Sequence, residues 1–192
     1  MPGVNVVINK NRTPWAEMPI GSGVSLIYDD GFVAISKSIP YSHYPVQHWE
    51  AGSCLFVVEG FFFEHGDYKA QIERLAEQYS VAHNRADLLK SLFANTDAEF
   101  IIIVYDKIKH SVIIFNDVLG RYPFYTATSA GIAIFSRNPS FVNSFLKLTP
   151  NKSGFLAMLA LGFSVGHQTL YNEIMRLHGG TLIAVFGPGL YW

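Results

Sequence analysis

One cysteine, Cys54, is all the thiol in this 192-residue chain. That excludes an intrachain disulfide and any zinc site built on paired thiolates, and it makes a reducing, cytoplasmic compartment the expectation. Charge is scarce as well. Charged residues make up 15% of the chain and the net charge is −1 with histidine neutral, so there is no basic footprint for nucleic acid and no polybasic membrane patch. No apolar run approaches the roughly 20 residues needed to span a bilayer. The opening Met1-Pro2-Gly3-Val4-Asn5 lacks the basic stretch and apolar core of a signal peptide. Also missing are a phosphate-cradling glycine loop ending in Lys-Ser or Lys-Thr, a Gly-x-Gly-x-x-Gly fingerprint and a Gly-x-Ser-x-Gly elbow. The histidines, at 43, 48, 65, 83, 110, 167 and 178, never pair four apart beside a glutamate on a plausible helix, so no metal site is expected.

What the chain does have is apolar bulk: 49% hydrophobic and 15% aromatic residues. Such a composition calls for large buried sheets, or for an apolar face that meets another domain. The length suits one domain over residues 1–192 that needs no covalent staple. Short β-branched and aromatic runs at 4–8, 24–28, 32–36, 55–63, 100–105, 111–115, 124–127, 132–135 and 181–186 read as strands. Asp30-Gly31, residues 105–110 and Ser129-Ala130-Gly131 read as hairpin connections. Helical spacing appears over 67–80, with Asp67 as N-cap and Tyr68, Ile72, Leu75, Ala76 and Tyr79 on one face. A second helix is expected over 85–93 with Asn84 as cap. A third opens at Thr149-Pro150 and closes at Gly162. Residues 187–192 fall just past the expected end of the domain. Segregated strand and helix runs favour α+β with antiparallel sheets over a doubly wound parallel sheet.

Three ordered stretches resemble the N-terminal domain of asparagine synthetases, a class II glutamine amidotransferase of the N-terminal-nucleophile (Ntn-hydrolase) fold. Asn116-Asp117-Val118-Leu119-Gly120-Arg121-Tyr122-Pro123-Phe124-Tyr125 is similar to the family's Arg-Asp-x-x-Gly-x-x-Pro-Leu-Tyr segment, matching at Asp117, Gly120, Pro123 and Tyr125. Ile134-Phe135-Ser136 resembles the strand that follows, with Arg137 where the family has glutamate. Residues 158–162 and 169–180 resemble its closing segment. With Val58-Glu59-Gly60 included, the resemblance covers the chain from about residue 53 onward. It implies a four-layer αββα sandwich of two antiparallel sheets.

The same resemblance implies positions that should carry the chemistry, and these have changed. The family attacks glutamine with an N-terminal cysteine whose own α-amine takes the thiol proton. Here Pro2 follows the initiator. The family's oxyanion donors, an Asn-Gly pair, correspond to Glu59-Gly60. An ionised glutamate only accepts hydrogen bonds and would repel a developing oxyanion. The next positions have become Phe61-Phe62-Phe63, expected to fill the pocket. No arginine lies between Arg12 and Arg74 to hold the substrate carboxylate. The aspartate that holds the α-amine corresponds to Arg85, or to Asp87 if the alignment shifts.

No catalytic residue is therefore assigned, and the resemblance implies a degenerate domain with a structural or interface role. Its implied partner is a synthetase domain, in cis or in trans. ATP and magnesium would belong to that domain, and no cofactor is expected in this one. Self-association stays open. Two alternatives stand beside this reading: an active amidotransferase with a non-standard nucleophile such as Cys54, and a free-standing module that binds an amino acid or a protein.

Overall fold

The structure, a computed structural model, describes residues 3–10, 23–38, 45–63, 67–81, 97–129, 131–186 and 189–191. Tight turns make its sheets antiparallel. Between β2 (Val24–Asp29) and β3 (Val33–Ser38), the Asp30 carboxylate accepts from the Phe32 and Val33 amides at 3.0 and 2.9 Å. Gly31 takes φ +80°, the left-handed region that favours glycine. The Asp106 carboxylate likewise receives the Ile108 and Lys109 amides, closing the turn from β6 (Ala98–Asp106) to β7 (Ser111–Asn116).

The described residues fall into two compact units. The first, Met1–Val46 with Pro123–His178, holds a six-stranded sheet ordered β10-β8-β9-β1-β3-β2. Its remaining strands are β1 (Gly3–Asn9), β8 (Tyr125–Ser129), β9 (Ile132–Ser136) and β10 (Met175–Arg176). Val6 sits opposite Ile35 on one side and Phe135 on the other. Val7, Ala34, Ala127 and Ile134 pack with Ile174 and with Phe141 and Val142 of a short helix, α2 (Pro139–Asn143). One buried polar row interrupts this sheet: Asn5 Nδ2 donates to Ser36 and Ser38 at 3.3 and 3.2 Å, and Ser136 Oγ donates to Asn5 Oδ1 at 2.7 Å. The row is internally satisfied, which is the condition for burying it.

The second unit, Gln47–Tyr122 with Gly179–Trp192, holds a sheet ordered β12-β11-β7-β6-β5-β4. It adds β4 (Val46–Ala51), β5 (Cys54–Phe62), β11 (Leu182–Phe186) and β12 (Gly189–Tyr191). Helix α1 (Tyr68–Val81) lies on one face and is capped by Asp67, whose carboxylate accepts from the Ala70 amide. Its Ile72, 2% exposed, packs with Phe56, Val58, Phe100, Ile102, Ile113 and Phe115. Side chains this fully buried contribute roughly 1.5–3 kcal/mol each by transfer from water. Strands β1 and β7 are buried along their whole length, so Val6-Val7-Ile8 and Val112-Ile113-Ile114-Phe115 are apolar runs without a polar face, even with Asn5 buried in β1. This accounts for much of the apolar composition.

The expected α+β class with two antiparallel sheets is what the chain adopts, and each strand read from the sequence is present. Several details differ. The third helix, α3 (Lys152–Leu161), starts later than expected because Asn151 is its N-cap, accepting from the Gly154 amide at 3.2 Å. Thr149 instead donates its hydroxyl to Glu173, and Pro150 bridges to Tyr171. The tail is not past the domain: Gly189–Tyr191 pairs with β11. Strands β4 and β10 and helix α2 were not anticipated. The expected helix over 85–93, its cap Asn84, and the side chains of Leu75, Ala76 and Tyr79 lie outside the described residues.

Candidate functional site

Strand β5 delivers the segment on which the resemblance places oxyanion chemistry. Glu59 pairs with Ile101, Gly60 with Phe100 and Phe61 with Glu99. A Cβ at Gly60 would strike the Glu99 carbonyl and the Phe100 backbone, so only glycine fits. Glu59 is fully buried, on the strand face opposite Phe56 and Val58. A glutamate is seldom placed so deep.

The aromatic run does not fill a pocket. Phe62 turns towards α1 and stacks on Tyr68 at 4.6 Å between centroids. Phe61 and Phe63 are each 53% exposed. The reason is strand alternation: successive side chains take opposite faces, so three adjacent phenylalanines cannot share one cavity. Pro2 and Arg85, the other two positions expected in a degenerate pocket, lie outside the described residues, as does Asp87. Strand β1 itself, Gly-Val-Asn-Val-Val-Ile-Asn, carries neither thiol nor hydroxyl.

Cys54 opens β5 opposite Asp106 and is half-buried. Burial pushes its thiol up and Asp106 raises it further, while a hydrogen bond with Ser53 and the charge of Lys109 oppose this. A nucleophilic thiol needs the reverse, an electropositive setting that holds the thiolate. The geometry gives Cys54 the character of a small apolar residue.

The segment beginning at Asp117 is built around backbone geometry. The Asp117 carbonyl accepts from the amides of Gly120 at 3.0 Å and Gly180 at 2.8 Å, and its Oδ1 accepts from Leu119 at 3.0 Å. Gly120 is left-handed at φ +58°. Gly179 lies so close that a Cβ there would strike the backbone of residues 118–120. Asn116 Oδ1, standing where the family has arginine, accepts from the Thr181 amide at 2.9 Å. Pro123 leads into β8, where Tyr125 pairs with Ser136 and Arg176. This motif welds a turn to the strand after Gly180.

Beside the turn is a cavity of about 180 Å³ lined by Asp97, Phe100, Asp117, Val118, Leu119 and Arg121. Arg121 pairs with Glu99 at 3.1 Å. Asp117 is 4% exposed and its Oδ2 accepts no hydrogen bond from the described residues. The cavity went unforeseen because its walls come from segments some twenty residues apart. Its described lining carries no cysteine, serine or threonine. Among the described residues no group of three or more metal-ligating side chains occurs, and no helix is long and apolar enough to cross a membrane.

With the geometry in view, comparison with known proteins is informative. The sequence model of the glutamine amidotransferase domain matches residues 34–189. No curated protein matches the chain. Among solved structures, it is similar to the allosteric regulatory enzyme of purine biosynthesis, with a TM-score of 0.50 and 12% identity over 83% of this chain. It is also similar to a glutamine phosphoribosylpyrophosphate amidotransferase from B. subtilis complexed with ADP and GMP, with a TM-score of 0.47 and 12% identity over 84% of this chain. The chain spans about a third of the length of either protein, 34% in both cases. The family match covers well over half of the sequence and includes both β5 and the Asp117 turn; the chain belongs to the glutamine amidotransferase domain family, in its class II, Ntn-hydrolase-like form.

Proposed function

We propose that this amidotransferase domain does not hydrolyse glutamine and serves, through its surface, an asparagine-synthetase-type ATP-dependent amide ligase. The observation that carries the proposal is Glu59, fully buried where the family chemistry needs a neutral amide to donate to an oxyanion. A side chain without an amide N–H at that point lacks the fixed donor that should stabilise the tetrahedral intermediate. Removing one oxyanion donor costs on the order of a hundred- to a thousandfold in rate, and replacing it with an acceptor costs more. Cys54 does not substitute, since burial disfavours its thiolate. The ligase assignment rests on the likeness of residues 116–125 and 169–180 to asparagine synthetases. In that setting ATP and magnesium belong to the synthetase partner, and a cytoplasmic location suits a chain with one unpaired cysteine.

The test is glutamate release from glutamine by the purified chain, with Cys54→Ser alongside. The expected result is a rate equal to the protein-free background for both. Turnover above background that vanishes in Cys54→Ser would overturn the proposal and establish a non-standard nucleophile.

A further inference from the structure

Two histidines from separate segments meet within the first unit. His167 lies in the segment that leaves α3, just after the left-handed Gly166, and His178 stands shortly past β10. Their rings touch edge to face, with centroids 3.9 Å apart and planes at 60°. Both residues are exposed. His167 is also held in place. The Arg176 amide donates to the His167 carbonyl at 3.0 Å, and His167 Nδ1 returns a bond to the Arg176 carbonyl at 2.9 Å. A carbonyl only accepts, so Nδ1 carries the proton, and in the neutral ring the lone pair belongs to Nε2.

We propose that His167 and His178 form a two-imidazole site for a zinc-class divalent metal ion, with water completing its shell. Three observations carry the proposal. The first is the bond from Nδ1 to the Arg176 carbonyl, the support that metal-ligating histidines have, because it fixes the tautomer and makes Nε2 a better ligand. Next is the donor set. Imidazole suits zinc, copper and nickel, whereas magnesium and calcium take oxygen ligands. Last, both rings are open to water, so an ion can reach them. Binding takes only a small opening of the pair. At metal–nitrogen distances of about 2.0–2.1 Å, two neighbouring ligand rings stand with centres roughly 4.5–5 Å apart. A change of torsion at an exposed ring supplies that within picoseconds to nanoseconds. A histidine has two ring nitrogens and coordination takes one, so His178 can serve while keeping another contact. Among the described residues no third histidine, cysteine or carboxylate joins the pair. A structural zinc site is closed by four protein ligands, so an ion held by two is exchangeable. Once bound, it fastens the segment leaving α3 to the end of β10. The spacing of these histidines is not the four-residue helical one, which is why no motif announced them. This inference does not depend on the absence of glutaminase activity.

The experiment titrates the full chain with zinc chloride by calorimetry, for the wild type, His167→Gln, His178→Gln, the double variant and His48→Gln. The expected result is a saturable zinc site whose dissociation constant rises at least about tenfold in either single variant. The double variant should lose little more than either single one, because two ligands of one ion act as a unit. His48→Gln, exposed on β4, should bind as the wild type does. Without zinc the circular dichroism spectra should match, since the substituted residues are exposed. His178→Gln leaves the bond from His167 to Arg176 in place, so it keeps the test decisive if position 167 proves sensitive to change. The absence of any saturable binding to the wild type overturns the proposal. So does an affinity that either single variant leaves intact, an equal loss in His48→Gln, or displacement of the zinc by magnesium chloride at equal concentration.

Discussion

Two segments tie this chain to its family, and they have fared differently. In the turn from Asp117 to Gly120, every residue with a backbone task is kept: Asp117 gathers three amides, Gly120 is left-handed, and Gly179 admits the turn against the next strand. At the end of β5, Gly60 is kept for the same kind of reason, pressed on the Glu99 carbonyl, while its neighbours have changed to Glu59 and Phe61. What the two places share is backbone geometry: Gly60 and Gly179 each sit where a Cβ would strike neighbouring backbone, whatever side chain stands at position 59.

The comparison can be broken most sharply at Gly60. Gly60→Ala forces a methyl into backbone that cannot move aside as a flexible side chain would, and we expect a loss above about 3 kcal/mol, beyond the usual overpacking range. Urea unfolding of the variant measures it. A loss under about 1 kcal/mol would show that β5 and β6 separate easily, and that the glycine is not a structural requirement.

A smaller effect is expected at Asp117, where two substitutions divide its roles. Asp117→Ala removes the acceptor for the Leu119 amide and should cost about 1–2 kcal/mol. Asp117→Asn keeps that acceptor and removes a buried carboxylate oxygen that accepts no hydrogen bond, so it should be within about 0.5 kcal/mol of wild type. Equal losses in the two would mean that the charge at 117 matters to the fold, contrary to a purely geometric turn.

The smallest effect is one of pH. Hydrogen bonds from the Thr149 hydroxyl and amide hold the Glu173 carboxyl below its ordinary value of 4.5. A depressed folded-state value means stability that is fully present above the unfolded value and is lost as pH falls through the folded one. The wild type should therefore lose melting temperature more steeply than Glu173→Gln as pH falls below 4.5. Parallel curves for the two proteins would remove Glu173 from the account of the residues leading into α3.

The strands were largely legible in the sequence because β-branched runs such as Ile101-Ile102-Ile103-Val104 admit few other readings. Strand β4 was not. It lies at a sheet edge with Gln47, His48 and Glu50 exposed, and its anchor is tertiary: Trp49 stacks on Phe56 at 5.6 Å between ring centroids. The α3 start was misplaced by two residues because Thr149-Pro150 has the local signature of a cap, yet Glu173 claims the Thr149 hydroxyl from 24 residues away. The outcome at Phe61-Phe62-Phe63 needed the register, since only pairing decides which ring faces α1. The changed residues at the candidate site were visible by resemblance alone, while the burial of Glu59 and the cavity at Asp117 required coordinates.

The central claim is that this domain keeps the fold of an amidotransferase without presenting a nucleophile to an amide carbon. Intact-mass analysis after incubation with a glutamine-like chloroketone tests it most directly, because such a reagent alkylates whatever side chain the site aims at that carbon. The account predicts an unchanged mass at concentrations that leave free thiols in solution largely unmodified. A stoichiometric single adduct that excess glutamine prevents would contradict it.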